Sequence, residues 1–329
     1  MTEKNIRILV GGGAGYIGSA LVPSLLEHGY QVDVIDLLWF GNHLSKSVKV
    51  LKKDLFNCNH EHFNGYDQFI FLAGLSNDPM AEYDPAKNFI YNAALPAYLA
   101  YECKQAGVKR FIYASSCSIY GYAEDKLYDE DCPVSCFYPY GISKLQGERG
   151  VFQLQDNDFS VIALRQGTIS GHSSRMRFDL IVNTMFKSAV TESKIIINNP
   201  SIWRPILDIR DAVSAYLRAI QADYSVNGIY NIASGNFTVG QVAGLVKSEI
   251  EKLTGKNIFL EIKDIHDFRN YKVSFERAEV HLGFKGQFTI SDIVNNLFIH
   301  LKDYGYLDQE KYFNIKVFRK LQSKHLKAF

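Results

Sequence analysis

Cysteine is scarce and unpaired in this chain: Cys58, Cys103, Cys117, Cys132 and Cys136 are the only five in 329 residues. An odd, scattered set argues against a disulfide framework and suits a reducing cytoplasm. Cys132 and Cys136 flank a proline and read as half a zinc site. No second close pair follows, and "HEH" at 60–62 lacks partners, so buried thiols are expected and no metal. Charge of one sign is lacking too. The 36 Lys and Arg against 35 Asp and Glu leave a net charge of +1, which gives no case for a nucleic-acid or anionic-membrane partner. No apolar run approaches the roughly 18 residues that cross a bilayer. The opening "MTEKNIRILV" has no apolar h-region, so a secretory signal is not expected. Internal repeats and low-complexity linkers are also missing.

What is present is the composition of a globular enzyme, in a chain long enough for two lobes. Short Val/Ile/Phe-rich runs alternate with helix-length segments: "IRILV" (6–10), "QVDVID" (31–36), "VKVLKKD" (48–54), "QFIFLAG" (68–74), "RFIYASS" (110–116) and "SVIALR" (160–165). That rhythm predicts βαβ units and a parallel sheet covered on both faces. After residue 170 the rhythm breaks. "SSRMRFDLIVNTMFKSAV" reads as a helix, "KIIINN" as a strand, "RPILDIRDAVSAYLRAI" as a strand end entering a helix, and "GIYNIAS" as a short strand. Helical segments, a strand-like "IFLEIKD" and a basic tail, "FRKLQSKHLKAF", complete the chain.

The glycine pattern Gly12-x-x-Gly15-x-x-Gly18 directly follows a strand and opens a helix, and Asp36 ends the next strand. Glycines permit the tight turn and close backbone approach, and the helix N-terminus then offers free N–H groups to a pyrophosphate. Asp36 can accept from both ribose hydroxyls. Leu37, Leu38 and Trp39 follow it where an NADP site wants a cation, so the expected ligand is NAD.

Further on, "FYPYGISKLQGE" places Tyr140 one helical turn before Lys144, behind Pro139 at a helix start. A hydroxyl loses hydride to nicotinamide only if its proton leaves as well, so a base must reach that oxygen. Tyrosine ionises near pH 10 and must be tuned down by about 3 units, or about 4 kcal/mol, to serve at neutral pH. A lysine ammonium one turn away and the positive nicotinamide ring both favour the phenolate. Ser116, near the carboxyl end of its strand, can align the reacting oxygen with Tyr140; capping of the following turn is its alternative.

This glycine form, followed by "YASSCSIYG" and Tyr-x-x-x-Lys, resembles the extended short-chain dehydrogenase/reductase family, whose NAD-dependent epimerases and dehydratases act mostly on nucleotide sugars. The resemblance runs through "KKDLFN", "FLAGLSND", "DPAKNFIYN" and "WRPILDIRD" to about residue 300. It implies a doubly wound, Rossmann-type, mostly parallel seven-strand sheet with a smaller α/β C-terminal lobe. The NAD lobe is expected at 1–170, with 206–235 returning to it, and the nucleotide-sugar lobe at 171–205 and 236–329. Tyr140, Lys144 and Ser116 become the expected catalytic set. Gly12, Gly15, Tyr16, Ile17, Gly18, Asp36, Leu37, Asn42, Asp54, Leu55, Leu72, Ala73, Gly74, Asn92 and Ser115 become expected cofactor contacts, besides Tyr140 and Lys144. A homodimer through a four-helix bundle of residues 85–107 and 139–155 is a further implication.

Departures from the family pattern bear on the reaction. Dehydratases of this kind carry Asp-Glu directly after the catalytic Ser or Thr, because loss of water needs an acid and a base. Cys117 and Ser118 stand there instead, which argues against a 4,6-dehydratase. Thr168 stands near a family asparagine that meets substrate. Arg175 and Arg177 offer bidentate donors to a diphosphate or sugar hydroxyl, with surface ion pairing as the alternative. Asn183 and Arg204 match positions that meet the nucleotide diphosphate, Arg269 is a further phosphate candidate, and Ser76 and Ser116–Ser118 complete the expected substrate contacts. "IDLLWFGNHL" and "RMRFDLIVNTM" resemble a branch of bacterial capsule enzymes for nucleotide-linked sugars, heptoses included. The expectation is C4 oxidation of a GDP- or other nucleotide-linked hexose or heptose, ending in ketone release by a dehydrogenase or, alternatively, in hydride return by an epimerase. A non-catalytic NAD sensor would be expected to lose the tyrosine, the lysine or the serine.

Overall fold

A computed structural model describes residues 6–134, 136–263 and 269–326. The apolar runs form strands β1 (Arg7–Gly11), β2 (Gln31–Asp36), β3 (Lys49–Lys52), β4 (Gln68–Phe71), β5 (Arg110–Ser116), β6 (Ser160–Gln166) and β7 (Gly228–Ile232). They hydrogen-bond in the order β7-β6-β5-β4-β1-β2-β3, and every neighbouring pair is parallel. The order reverses between β1 and β4, which opens a crevice at the carboxyl ends of those strands.

Side chains alternate across this sheet and feed two separate cores. Ile8, Val10, Val34, Ile70, Ile112 and Leu164 face helices Gly18–Glu27 and Ile209–Gln221. Leu9, Ile35, Phe69, Phe71, Phe111 and Ala163 face helices Leu95–Gln105 and Pro139–Phe152. Burial on both faces explains why the strands read as continuous apolar runs.

The rest of the chain builds smaller sheets above the carboxyl ends. Trp203–Asp208 lies parallel to Thr168–Ser170 and antiparallel to Gly235–Thr238. This sheet straddles the expected lobe boundaries at 205/206 and 235/236. Lys194–Asn198 pairs with Phe259–Lys263, and Tyr122–Tyr128 with Asn270–Val273. Helices Ile181–Glu192, Val239–Thr254 and Ile290–Ile299 pack together beside them. The basic tail is a helix, Asn314–Leu326; the final residues 327–329 of the expected tail lie outside the described residues.

One expected helix is shortened. The segment from Ser173 turns irregularly, and the helix begins only at Ile181. Polar side chains there are committed to distant partners: Ser173 Oγ donates to the Tyr16 carbonyl at 2.7 Å and Arg177 Nη1 to Ser76 Oγ at 3.2 Å. Such bonds compete with helical ones and hold the segment open. Residues 85–105 form one helical run, interrupted by a π-helical turn at Ile90–Ala94 that carries Asn92.

Candidate active site

The crevice is a cleft of about 640 Å³, within the size of a small-molecule site. Its floor begins with the glycine turn. Gly12 has φ +80°, and a Cβ there would sit 2.5 Å from the Ala73 backbone nitrogen, so no other residue fits without moving β4's exit loop. A Cβ on Gly18 would strike the Gly13 backbone. Asp36 ends β2 beside this turn, accepting from Ala14 N at 3.0 Å and Leu38 N at 2.7 Å. Burial raises its pKa despite those bonds. Gly15, Tyr16, Ile17, Leu37, Asp54, Leu55, Leu72, Ala73 and Gly74 line the same end, with Ser115 at the β5 exit. Tyr16 is nearly buried, its hydroxyl donating to the Gly171 carbonyl at 2.6 Å.

Three expected cofactor contacts lie outside the lining, Lys144 among them. Asn42 is exposed and outside the cleft lining, its side chain accepting from Leu44 N at 3.0 Å. Asn92 is fully buried behind the floor, donating to the Leu75 carbonyl at 2.9 Å. Its π-helical turn turns the amide toward Gly74, where any Cβ would strike it, so Asn92 shapes the floor without lining it.

Tyr140 enters the cleft from the second residue of helix Pro139–Phe152, close to the Ser116 side chain. Ser116 Oγ also accepts from Ser118 N at 3.2 Å, so it caps the turn while facing the phenol. The helix is pinned to the sheet by a buried pair. Arg165 Nε and Nη2 donate to Glu148 at 3.0 and 2.6 Å, Ser115 Oγ donates to the same carboxylate at 2.8 Å, and Arg165 Nη1 reaches the Tyr120 hydroxyl at 2.8 Å. Bidentate, fully satisfied pairs of this kind fix geometry.

The expected lowering of the phenol by Lys144 is corrected by the surroundings. Burial, then the Asp78 carboxylate, push Tyr140 up to about 12, while Arg177 and the nearby Ser116 hydroxyl oppose them. Lys144 is itself buried, outside the cleft lining, with its Nζ 5.9 Å from the Tyr140 ring centre and donating to the Ala114 carbonyl at 2.8 Å. Desolvation pulls it down to about 7, which weakens its hold as a permanent cation.

The opposite wall comes from scattered segments. Ser76, Ser118, Thr168, Arg175, Arg177, Arg204 and Arg269 all line the cleft. Ser118 Oγ is buried without a partner among the described residues. Arg269 pairs with Asp78, and Arg204 donates to the Arg269 carbonyl, so these two cations share one corner. Two expected substrate contacts do not reach the cleft. Cys117 is fully buried, its Sγ donating to the Arg165 carbonyl at 3.0 Å, because it is the inward residue of the turn leaving β5. Asn183 is also fully buried: it accepts from Gly171 N at 2.9 Å and donates to the Tyr16 hydroxyl at 3.1 Å, which braces the glycine turn. Sequence reasoning missed Asp78, Asp179 and Asn314, which line the cleft from three separate segments. Only "FLAGLSND" held a local signal for one of them.

A switch-point crevice, a glycine turn under a helix N-terminus and a carboxylate ending β2 define a dinucleotide-binding α/β protein, and Tyr140 and Ser116 line the same cleft. The model of the NAD-dependent epimerase/dehydratase family matches residues 8–233, and the chain belongs to that family. A putative UDP-glucose 4-epimerase of Methanocaldococcus jannaschii is 25% identical over 307 residues, covering 90% of this chain and 98% of that protein. The UDP-glucose 4-epimerase of Yersinia enterocolitica is 27% identical over 325 residues, covering 88% and 96%. Among solved structures, MoeE5 in complex with UDP-glucose and NAD is similar at a TM-score of 0.79 and 25% identity, over 90% of this chain and 99% of that one. The NDP-hexosamine 5,6-dehydratase TunA shares the fold at 0.80 and 21% identity, covering 92% and 100%, so one architecture carries different outcomes. The protein is thus an NAD-dependent nucleotide-sugar enzyme of the epimerase/dehydratase class. The glycines that admit no Cβ, the Asp36 carboxylate and the uncharged Leu37 beside it fit NAD. Among the described residues, no helix is long and apolar enough to cross a membrane, and no cluster could hold a metal ion.

Proposed function

We propose that the protein oxidises C4 of a nucleotide-linked hexose or heptose, with Tyr140 taking the hydroxyl proton. The observation that carries this reading is the Tyr140–Ser116 pair inside a cleft that also holds the glycine turn and Asp36. When bound, NAD supplies a hydride acceptor and a positive ring beside the phenol. The chain's part is to hold the sugar oxygen against Tyr140 through Ser116, to keep water out with the apolar floor, and to move the proton through the phenol. The positive charge of a bound nicotinamide ring would oppose the burial that raises Tyr140. Arg204 and Arg269 face the substrate's diphosphate, Ser76, Ser118, Thr168 and Arg177 its sugar. Residues 1–170 and 206–235 form the lobe that carries the glycine turn and Asp36, and 171–205 with 236–329 the lobe that carries Arg177, Arg204 and Arg269.

Hydride return to the other face, giving a 4-epimerase, is the fate the similar UDP-glucose 4-epimerases favour. A 4-dehydrogenase of a GDP-linked heptose in surface-polysaccharide synthesis is the second reading. It rests on the Ile35–Leu44 and Arg175–Met185 segments, several of whose residues line the cleft. Cys117 and Ser118, one buried and neither an acid, supply no dehydratase pair. A homodimer is supported by an apolar stripe on the two outer helices, where Phe89, Ile90, Tyr101 and Ile142 are exposed.

Purified protein mixed with UDP-glucose or a GDP-heptose, without added cofactor, separates the fates. A new stereoisomer with no lasting reduced-nicotinamide absorbance identifies the epimerase; a stoichiometric, persistent rise identifies the dehydrogenase. Neither signal with any nucleotide sugar would end the proposal.

A further inference from the structure

The basic tail that sequence reading left without a role is built into the site. We infer that Arg175, positioned by Asn314 at the start of the C-terminal helix, donates to the diphosphate of the dinucleotide, which makes that helix part of the cofactor site.

Arg175 is 3% exposed. Its Nη2 donates to Asn314 Oδ1, and the guanidinium lies 3.7 Å over the Phe40 ring. Its Nε and Nη1 are buried with no partner among the described residues. Among the described residues, no carboxylate is ion-paired with it. Asp179 already accepts from Arg177 Nε at 2.8 Å, Asn77 Nδ2 at 3.2 Å and Asn314 N at 3.0 Å. Burial first, then the Arg177 charge, lower Arg175 to about 9, a penalty an incoming anion would remove. Each of these dry donors awaits an acceptor, and an anionic oxygen suits either.

Two diphosphates enter this cleft, the dinucleotide's and the sugar nucleotide's, and position favours the first. Phe40 lies four residues past Asp36, and Asp36 feels the Arg175 charge. Ser173, two residues before Arg175, is bonded to the Tyr16 carbonyl inside the glycine turn. Arg204 and Arg269 sit at the other corner, Arg269 5.9 Å from the ring of Tyr138 beside the catalytic tyrosine.

Asn314 is the link. It is 4% exposed, and its Nδ2 donates to Ser76 Oγ at 2.7 Å while its backbone holds Asp179. The helix behind it is anchored by fully buried Phe318 against Leu75, Met80 and Trp39, whose ring centre is 5.8 Å away. Lys87 bonds Gln322 further along.

The inference rests on the NAD-dependent reading of the cleft, not on the identity of the sugar. Release of NAD from the full-length holoenzyme is timed after dilution, and UDP and GDP are titrated into it by calorimetry. Arg175→Ala and Asn314→Ala should shed NAD roughly tenfold to a hundredfold faster, as loss of a charge-assisted bond implies. UDP and GDP affinity should hold within about threefold, the scatter expected of a residue outside the contact. Arg175→Lys, which keeps the charge and loses the planar donor set, should fall between, and Phe318→Leu keeps the helix seated as a packing control. Unchanged NAD release overturns the inference, and so does weaker UDP or GDP binding alone, which would assign the guanidinium to the substrate. A wild-type enzyme that converts no nucleotide sugar, while Arg175→Ala still sheds NAD, would sink the proposed function and leave this inference standing.

Discussion

Arg110 and Arg175 are both almost wholly buried, at opposite ends of the same sheet, and they are satisfied in opposite ways. Arg110, at the amino end of β5, spends its donors on Ser160 Oγ and on the carbonyls of Ala219, Ala222, Asp223 and Val226, at 2.6 to 3.1 Å. Arg175, at the carboxyl end, keeps two donors dry. Burial of a cation is costly unless its donors are paired. The amino end therefore closes on itself, while the carboxyl end holds charge that only a ligand completes. Among the described residues, the buried cationic nitrogens without a partner belong to Arg175 and Arg177, and both line the cleft.

That contrast breaks most sharply at the reacting group. Tyr140→Phe should lower turnover by about 10²- to 10⁴-fold, as loss of a proton-transfer group does. Calorimetry should show nucleotide binding unchanged, so a variant with near wild-type turnover would refute the site. At the other end the effect should fall on stability. Arg110→Met should cost on the order of 3 kcal/mol in urea unfolding, because several buried carbonyls lose their donor. The turnover of its folded fraction should stay that of the wild type.

Lys144 sharpens the comparison through pH. Its ammonium is lost near 7 in the folded protein against about 10.4 in the unfolded chain. Between those values the unfolded state binds more protons, so this residue makes stability rise as pH climbs from about 7 toward 10. Lys144→Met should flatten that rise in melting temperatures taken across the range; an unaltered slope would mean the lysine is not desolvated as described. The smallest effect should come from Asp78→Asn. Asp78 raises Tyr140 after burial does, so its removal should move the alkaline-rising limb of the rate profile to lower pH by a fraction of a unit.

The same division explains what the sequence could tell. The strands, the glycine turn, Asp36 and the Tyr140–Lys144 helix were legible because each is a local pattern whose parts lie within one βαβ unit. The opposite wall was legible only as residue types. Arg175 and Arg177 read as a helix, yet they occupy an irregular segment held by Tyr16 and Asn314, 139 positions from Arg175. No local spacing encodes such a contact. Cys117 and Asn183 failed as substrate contacts for the same reason: a residue's place in a motif does not say which way its side chain turns. Asn314 carried no signal, since an asparagine in a basic tail is ordinary until Asp179 and Ser76 are seen beside it.

The central claim is that Tyr140 drives removal of hydride from C4 of a nucleotide sugar. Its most direct test is a single turnover with UDP-glucose deuterated at C4, followed by analysis of the nicotinamide ring. The account predicts that with the wild-type enzyme the deuterium stays on the ring if the ketone is released, or returns to C4 of the epimerised sugar if the hydride goes back, and that Tyr140→Phe gives neither. A product whose C4 hydrogen comes from water, with an unlabelled ring, would contradict it.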